Sequence, residues 1–294
     1  MSFPYLSDLV YFLSGYRLPL PIAMFGLFVA FGVLAAGACL RRELVRRQGV
    51  AGTAPPTIVN DFAFVVLLAG VIGARLFHIL EHLDEFAQDP WSMIFSRSGL
   101  SVFGGLIFGA GAGLVLLRRW KVRVRPFLDA IAPALMLGYA IGRIGCQVSG
   151  DGDWGIAADM ALKPAWLPTW LWAQTYVNNI AGVVIAAPGV YPAPIYETLM
   201  ATACFALLWL VRKHACQAGW LFSLYLVLAG AERLLIEQIR VNVRFHVHGL
   251  SFTQAELIAM LVLGLGAAGM LLLSRPASVT APAAPRATGS VGPD

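Results

Sequence analysis

Apolar runs long enough to cross a bilayer constrain this sequence more than any other feature. They fall at roughly 21–40, 58–80, 100–117, 126–145, 195–211, 219–240 and 251–273. A helix climbs about 1.5 Å per residue, so about 20 such residues cover a hydrocarbon core about 30 Å thick, with every backbone N–H bonded inside the segment. The balance of residues agrees. Of the 294 residues, 59% are hydrophobic and 13% charged, whereas soluble domains average nearer a half and a quarter. The expected fold is an all-α membrane protein of seven transmembrane helices. Residues 1–273 then form one transmembrane domain. The Ala-, Pro- and Ser-rich stretch 274–294 has little to bury and is expected to be a disordered tail.

The loops set the orientation. "RRELVRR" at 41–47, "RRWKVRVR" at 118–125, "RK" at 212–213 and Arg275 alternate with acidic or mixed loops, "EHLDEFAQD" at 81–89 and "DGDWGIAAD" at 151–159. By the positive-inside rule the N-terminus is outside and the C-terminal tail cytoplasmic. Basic clusters explained by topology leave no reason to invoke nucleic acid, although the net charge is +5. Positive charge follows the first apolar run instead of preceding it, so that run reads as a retained span and not a cleaved signal. Segment 156–194 is too polar and proline-broken to cross. Its Trp166, Trp170, Trp172 and Tyr176 suit a headgroup layer, which predicts a small periplasmic arm or cap. The four cysteines show no C-x-x-C spacing, so neither a disulfide framework nor a zinc site is indicated.

Charges inside the spans point to function, because they are costly there. Counted along their helices, Arg75, Arg143, Arg233 and Arg240 reach one layer, the outer part of the membrane. In "ERLLIEQIR" the spacings of four and three put Arg233, Glu237 and Arg240 on one helix face, with Glu232 beside it. An internal salt-bridge ladder would account for that helix alone. Four cations at one depth outnumber the obvious intramembrane carboxylates, and a phospholipid phosphate would restore the balance, since arginine's planar fork suits phosphate oxygens. Gly105, Gly109 and Gly113, and Gly138 with Gly142, follow a small-xxx-small spacing that serves helix contact. Gly104 and Gly105 lie at the outer end of their span, where approach of backbone to a headgroup is an equal alternative.

The pieces together resemble the prolipoprotein diacylglyceryl transferase family. "GRIGCQVSGDGDWG" at 142–155 is similar to its arginine–x–glycine–asparagine signature and polar turn. "GVIGARLFHIL", "SVFGGLIFG", "YPAPIYE", "ERLLIEQIR" and "HGLSFTQAELIAM" follow in the family's order. The resemblance implies an enzyme of the bacterial inner membrane that moves the diacylglyceryl unit of phosphatidylglycerol onto the lipobox cysteine of a prelipoprotein, releasing glycerol phosphate. It implies no cofactor and no metal. Arg143, Arg233 and Glu237 become the catalytic candidates. Arg75, Gly104, Gly105, Arg240, Asp151, Asp153, Tyr196 and Glu197 become the substrate-binding ones.

The sequence departs from the family at two motif positions. Phe103 stands where the family has histidine, and Cys146 where it has asparagine. A phenylalanine cannot accept a thiol proton, so His78, Glu81, His82, His246 and His248 are the substitutes to consider. "HILEH" sets His78 and His82 one turn apart, with Glu81 three from His78. These residues equally suit an interface facing water. The departures keep two other readings open: the same lipid donor with a different acceptor, or a non-catalytic phospholipid-binding or assembly protein.

Overall fold

The computed structural model describes residues 2–16, 19, 22–48, 53–95, 101–213, 216–242, 244–247 and 250–275. Its helices are α1 (Leu6–Ser14), α2 (Met24–Arg46), α3 (Val59–Glu81), α4 (Leu83–Gln88), α5 (Pro90–Phe95), α6 (Val102–Arg119), α7 (Val124–Ser149), α8 (Ala193–Val211), α9 (Trp220–Glu237) and α10 (Gln254–Leu273). A short hairpin, β1 (Arg244–Val247) with β2 (Leu250–Thr253), joins the last two, pairing Arg244 with Thr253. Neither α1 nor the hairpin was expected from the apolar pattern. Most of the expected disordered tail, 276–294, and His248 lie outside the described residues.

Among the described residues six helices, α2, α3, α6, α7, α8 and α10, are long and apolar enough to cross a membrane. The seventh expected span corresponds to α9. At 18 residues it is as long as α6, but it carries Glu232, Arg233 and Glu237. Large apolar side chains such as Val102, Leu210 and Leu271 are mostly exposed, as lipid-facing residues of such a bundle are.

The long helices form antiparallel pairs, α2 with α7, α3 with α6, and α9 with α10. In lipid no hydrophobic force drives such pairing, so contact depends on close van der Waals approach. Small residues permit it. A methyl group at Gly104 would collide with the carbonyl oxygen of Gly73 and with Phe77. One at Gly32 would lie 2.9 Å from the carbonyl oxygen of Gly138, and one at Gly230 lies 2.8 Å from that of Ala259.

A buried core lies at the end where α2 and α6 finish and α3 and α7 begin. Leu40, Leu44, Val59, Phe62, Leu117 and Phe127 form a buried cluster there. Glu43, 1% exposed, sits beside it and bonds to Arg46 at 2.6 Å and Arg212 at 2.9 Å, with Arg47 at 3.7 Å. A second cluster, including Met136, Leu208 and Leu221, joins α7, α8 and α9. Asp129, in the first turns of α7, accepts from the backbone N–H groups of Gly219 at 2.8 Å and Phe222 at 2.9 Å. It thereby satisfies donors that the start of α9 leaves unpaired.

At the opposite end the helices line a cavity, and the segment between α7 and α8, which contributes Asp153 to its wall, forms a small arm. Short bridges hold this arm: Ala157 with Val190, Gln174 with Val190, and Gly155 with Arg240.

Candidate functional site

Helix α7 stops where Gly150 takes the left-handed conformation, φ +62°, and its N–H returns to the carbonyl of Cys146 at 3.0 Å. A non-glycine residue is disfavoured in that region of backbone space. The turn that follows is closed by the Asp151 carboxylate, which accepts from the N–H of Asp153 at 3.2 Å. It brings the Asp153 side chain back against the helix it has just left. Arg143 donates to it at 2.5 Å. The other arm of the same guanidinium donates to Glu197, on the first turns of α8 and 1% exposed. One planar fork thus bridges two carboxylates that lie far apart in sequence.

Arg240, just past α9, completes the arrangement. It donates to the Asp153 carboxylate at 2.8 Å and to the Asp153 carbonyl at 3.2 Å, and lies 4.0 Å from Glu197. Backbone pairing of Ile156 with Ile239 at 2.7 Å fixes the turn to the end of α9. Burial alone would raise the Asp153 carboxyl, but Arg143 and Arg240 outweigh it and hold the group down at about 2. Glu197 also accepts from the hydroxyl of Tyr139 at 3.1 Å.

The third arginine is held differently. Arg233 pairs with Glu237 one turn on, at 2.8 Å. Glu237 in turn accepts from the hydroxyl of Thr253 and the amide of Asn242, each at 2.6 Å. Thr253 also caps α10, in a box with Glu256. The cations that outnumbered carboxylates in the sequence therefore have partners, because Asp153 from the turn and Glu197 from α8 join Glu237. They are not equally engaged. The side chain of Arg233 is 33% exposed, against 10% for Arg143 and 14% for Arg240.

All three arginines, with Asp153, Glu197 and Tyr139, line a cavity of about 830 Å³. Its remaining wall is mostly apolar, from Val102 and Phe103 on α6, Ala229 on α9, and Ile258, Ala259 and Val262 on α10. Asp153, Glu197 and Glu237 match the three guanidiniums in number, and Arg233, 33% exposed although paired, is the one most open to the cavity. The space therefore suits an amphipathic molecule with an anionic group, and its size is that of a small-molecule site.

Other candidates lie elsewhere. Gly104 and Gly105 face α3, where Gly73, Gly70 and Ala74 fill the space beside them. Their neighbour Phe103 lines the cavity instead. The hydroxyl of Tyr196 donates to the carbonyl of Leu171 at 2.6 Å, tying α8 to the arm. Asp151 shapes the turn, and Arg75, on α3, is not among the cavity-lining residues. Cys146 is buried and accepts from Arg143 at 3.4 Å without reaching the cavity. None of His78, Glu81, His82 and His246 lines it. Tyr139, Asn242 and Thr253 were not anticipated.

Comparison with known proteins places the chain among relatives of one kind. The family model of the prolipoprotein diacylglyceryl transferases matches residues 15–272. A phosphatidylglycerol–prolipoprotein diacylglyceryl transferase of Leptospira interrogans is 28% identical over 264 residues, covering 81% of this chain and 77% of its own. Those of Halalkalibacterium halodurans and Leifsonia xyli are 27% and 29% identical, covering 76% of this chain and 73% and 67% of theirs.

Proposed function

Because the chain belongs to the prolipoprotein diacylglyceryl transferase family, we propose that it transfers the diacylglyceryl unit of phosphatidylglycerol to the lipobox cysteine thiol of a prelipoprotein. The sulfur attacks the glyceryl carbon that carries the phosphate. A thioether C–S bond forms, the C–O bond breaks, and glycerol phosphate leaves with the bonding pair. The observation that carries this reading is the cavity, with three arginines at one end and an apolar wall along α6, α9 and α10.

Within it Arg233, the most open of the three, meets the phosphate, and Arg143 and Arg240 supply further guanidinium N–H donors for the departing oxygen. Glu237 orients Arg233, while Asp153 and Glu197 hold the Arg143 fork. A thiol titrates near 8.5, so modest help from the neighbouring guanidiniums suffices for a thiolate, and its proton passes to water. Both carboxylates lining the cavity are already ion-paired, which leaves them poor bases. The enzyme is a multi-pass protein of the bacterial inner membrane, with α9 as its seventh span and the arm outside.

One observation favours a second reading. Phe103 lines the cavity where the family has histidine, and it alters the side the acceptor approaches. On that reading the lipid donor is unchanged and the acceptor is not a lipobox thiol. Purified protein in phosphatidylglycerol nanodiscs, given a lipobox peptide and followed by mass spectrometry, separates the two. Addition of a diacylglyceryl unit that vanishes in Arg143→Ala is the expected result. Lipid turnover without modified peptide would favour the altered acceptor, and neither product would overturn both.

A further inference from the structure

We propose that His78, Glu81 and His82 form a binding site for a divalent transition-metal ion, with zinc the best match to its donors. The site is distinct from the lipid cavity, which none of the three lines. It lies at the C-terminal end of α3, where the helix closes at Glu81 and His82 takes a non-helical conformation, φ −133° and ψ 51°.

Two histidines four apart share one helix face, a spacing that lets both rings address one ion. Here the rings lie side by side, with centroids 4.5 Å apart. A ring nitrogen of each histidine and a carboxylate oxygen of Glu81 all lie within 4.8 Å of one another. Zinc holds nitrogen and oxygen ligands at about 2.0–2.2 Å, so its tetrahedral ligands sit about 3.3 Å apart. Small side-chain rotations close that difference.

Neighbouring contacts prepare the donors. The Nδ1 atom of His82 lies 3.1 Å from the carbonyl oxygen of His78. A carbonyl only accepts, so Nδ1 carries the proton and Nε2 keeps the lone pair that a metal takes. Glu81 accepts from the hydroxyl of Ser101 at 3.2 Å through one oxygen, which leaves the other for the ion. Two nitrogens and one carboxylate oxygen are the ligand set of open zinc sites, in which water fills the fourth position. Glu81 is exposed, so that position is accessible.

The location gives occupancy a consequence. Ser101 precedes α6 and its N–H also bonds to the carbonyl of Ala74 on α3 at 3.0 Å. The next two residues, Val102 and Phe103, line the lipid cavity. An ion on Glu81 therefore fixes the end of α3 beside the strip of α6 that forms the cavity edge.

The test uses tag-free protein in detergent, stripped with a chelator and titrated with zinc by calorimetry. One equivalent should bind with micromolar affinity. His78→Gln with His82→Gln should abolish it, and Glu81→Gln should weaken it by about tenfold. Cys146→Ser should leave it unchanged, which separates this site from the Cys146, Asp151 and Asp153 group that also clusters. Unfolding curves in metal-free buffer establish that the variants fold. Should zinc fail to bind tighter than the millimolar range, or bind equally well to the folded double variant, the site does not exist.

Discussion

Arg143 joins a helix, a turn and a second helix through one side chain, since its guanidinium bonds to Asp153 and Glu197 together. Lysine keeps the charge but offers a compact ammonium that cannot present two parallel arms. Arg143→Lys should therefore fold and lose transfer on the order of 100-fold, the scale of one lost transition-state donor. Near-normal turnover of a lipobox peptide in nanodiscs would remove Arg143 from the site. Asp153 makes a second prediction. Its carboxyl is held at about 2, below the usual 3.8, although burial opposes this. A depressed carboxyl stabilises the folded state above its unfolded value and stops doing so as pH falls through the folded one. The turn should thus stay anchored from neutral pH down to about 4 and loosen from there toward about 2. Trp154, its ring 5.1 Å from that of Tyr176 and tilted by 33°, reports on it. A fluorescence transition absent from Asp153→Asn and centred near pH 5 would contradict the ion pairing. At this scale the sequence was half legible. Arg143, Arg233, Arg240 and Glu237 stood out because charges among apolar residues are costly. Tyr139, Asn242 and Thr253 carry no such signal. Arg75, Gly104, Gly105 and Tyr196 were grouped with them by depth. Counting residues along a helix gives height but not rotation about the bundle.

The long helices were legible to within a few residues, six of them as spans, since lipid requires long apolar helices and leaves few alternatives. The expected run 58–80 is α3 at Val59–Glu81, and 195–211 is α8 at Ala193–Val211. The hairpin β1–β2 escaped notice because its strands are only four residues each, too short for an alternating pattern to register. How helices pair depended on glycines whose spacing was readable but whose partners were not. Gly104 meets Gly73, while Gly111, on the same helix, has nothing nearby. An alanine at Gly104 meets backbone and must push α3 and α6 apart, a strain of about 1–3 kcal/mol. An alanine at Gly111 gains helix propensity, up to about 1 kcal/mol. Gly104→Ala should lower the melting temperature in detergent by several degrees, and Gly111→Ala should hold or raise it. Equal melting temperatures would mean that the α3–α6 contact yields without cost.

Across the whole molecule, polarity is sorted by end. The basic loops that are separate in sequence converge in space, as Glu43 gathers Arg46, Arg47 and Arg212 while Arg47 donates to the carbonyl of Pro126 at 3.3 Å. The buried apolar clusters lie toward this end, and the ion-paired cavity and the arm lie at the other. Basic residues close to span ends remain on the cytoplasmic side. The convergence of three basic segments therefore strengthens the orientation argued from loop charge alone. On the proposed orientation the arm lies outside and the arginine-lined cavity at the outer leaflet, within reach of a lipid phosphate there. The test is labelling with a membrane-impermeant maleimide in spheroplasts, after the four native cysteines are replaced. Val184→Cys, in the arm and 96% exposed, should label before lysis. Lys121→Cys, between α6 and α7, should label only after it. The reverse pattern would move the cavity to the cytoplasmic leaflet, where a thioether could not be added to a segment already carried across the membrane.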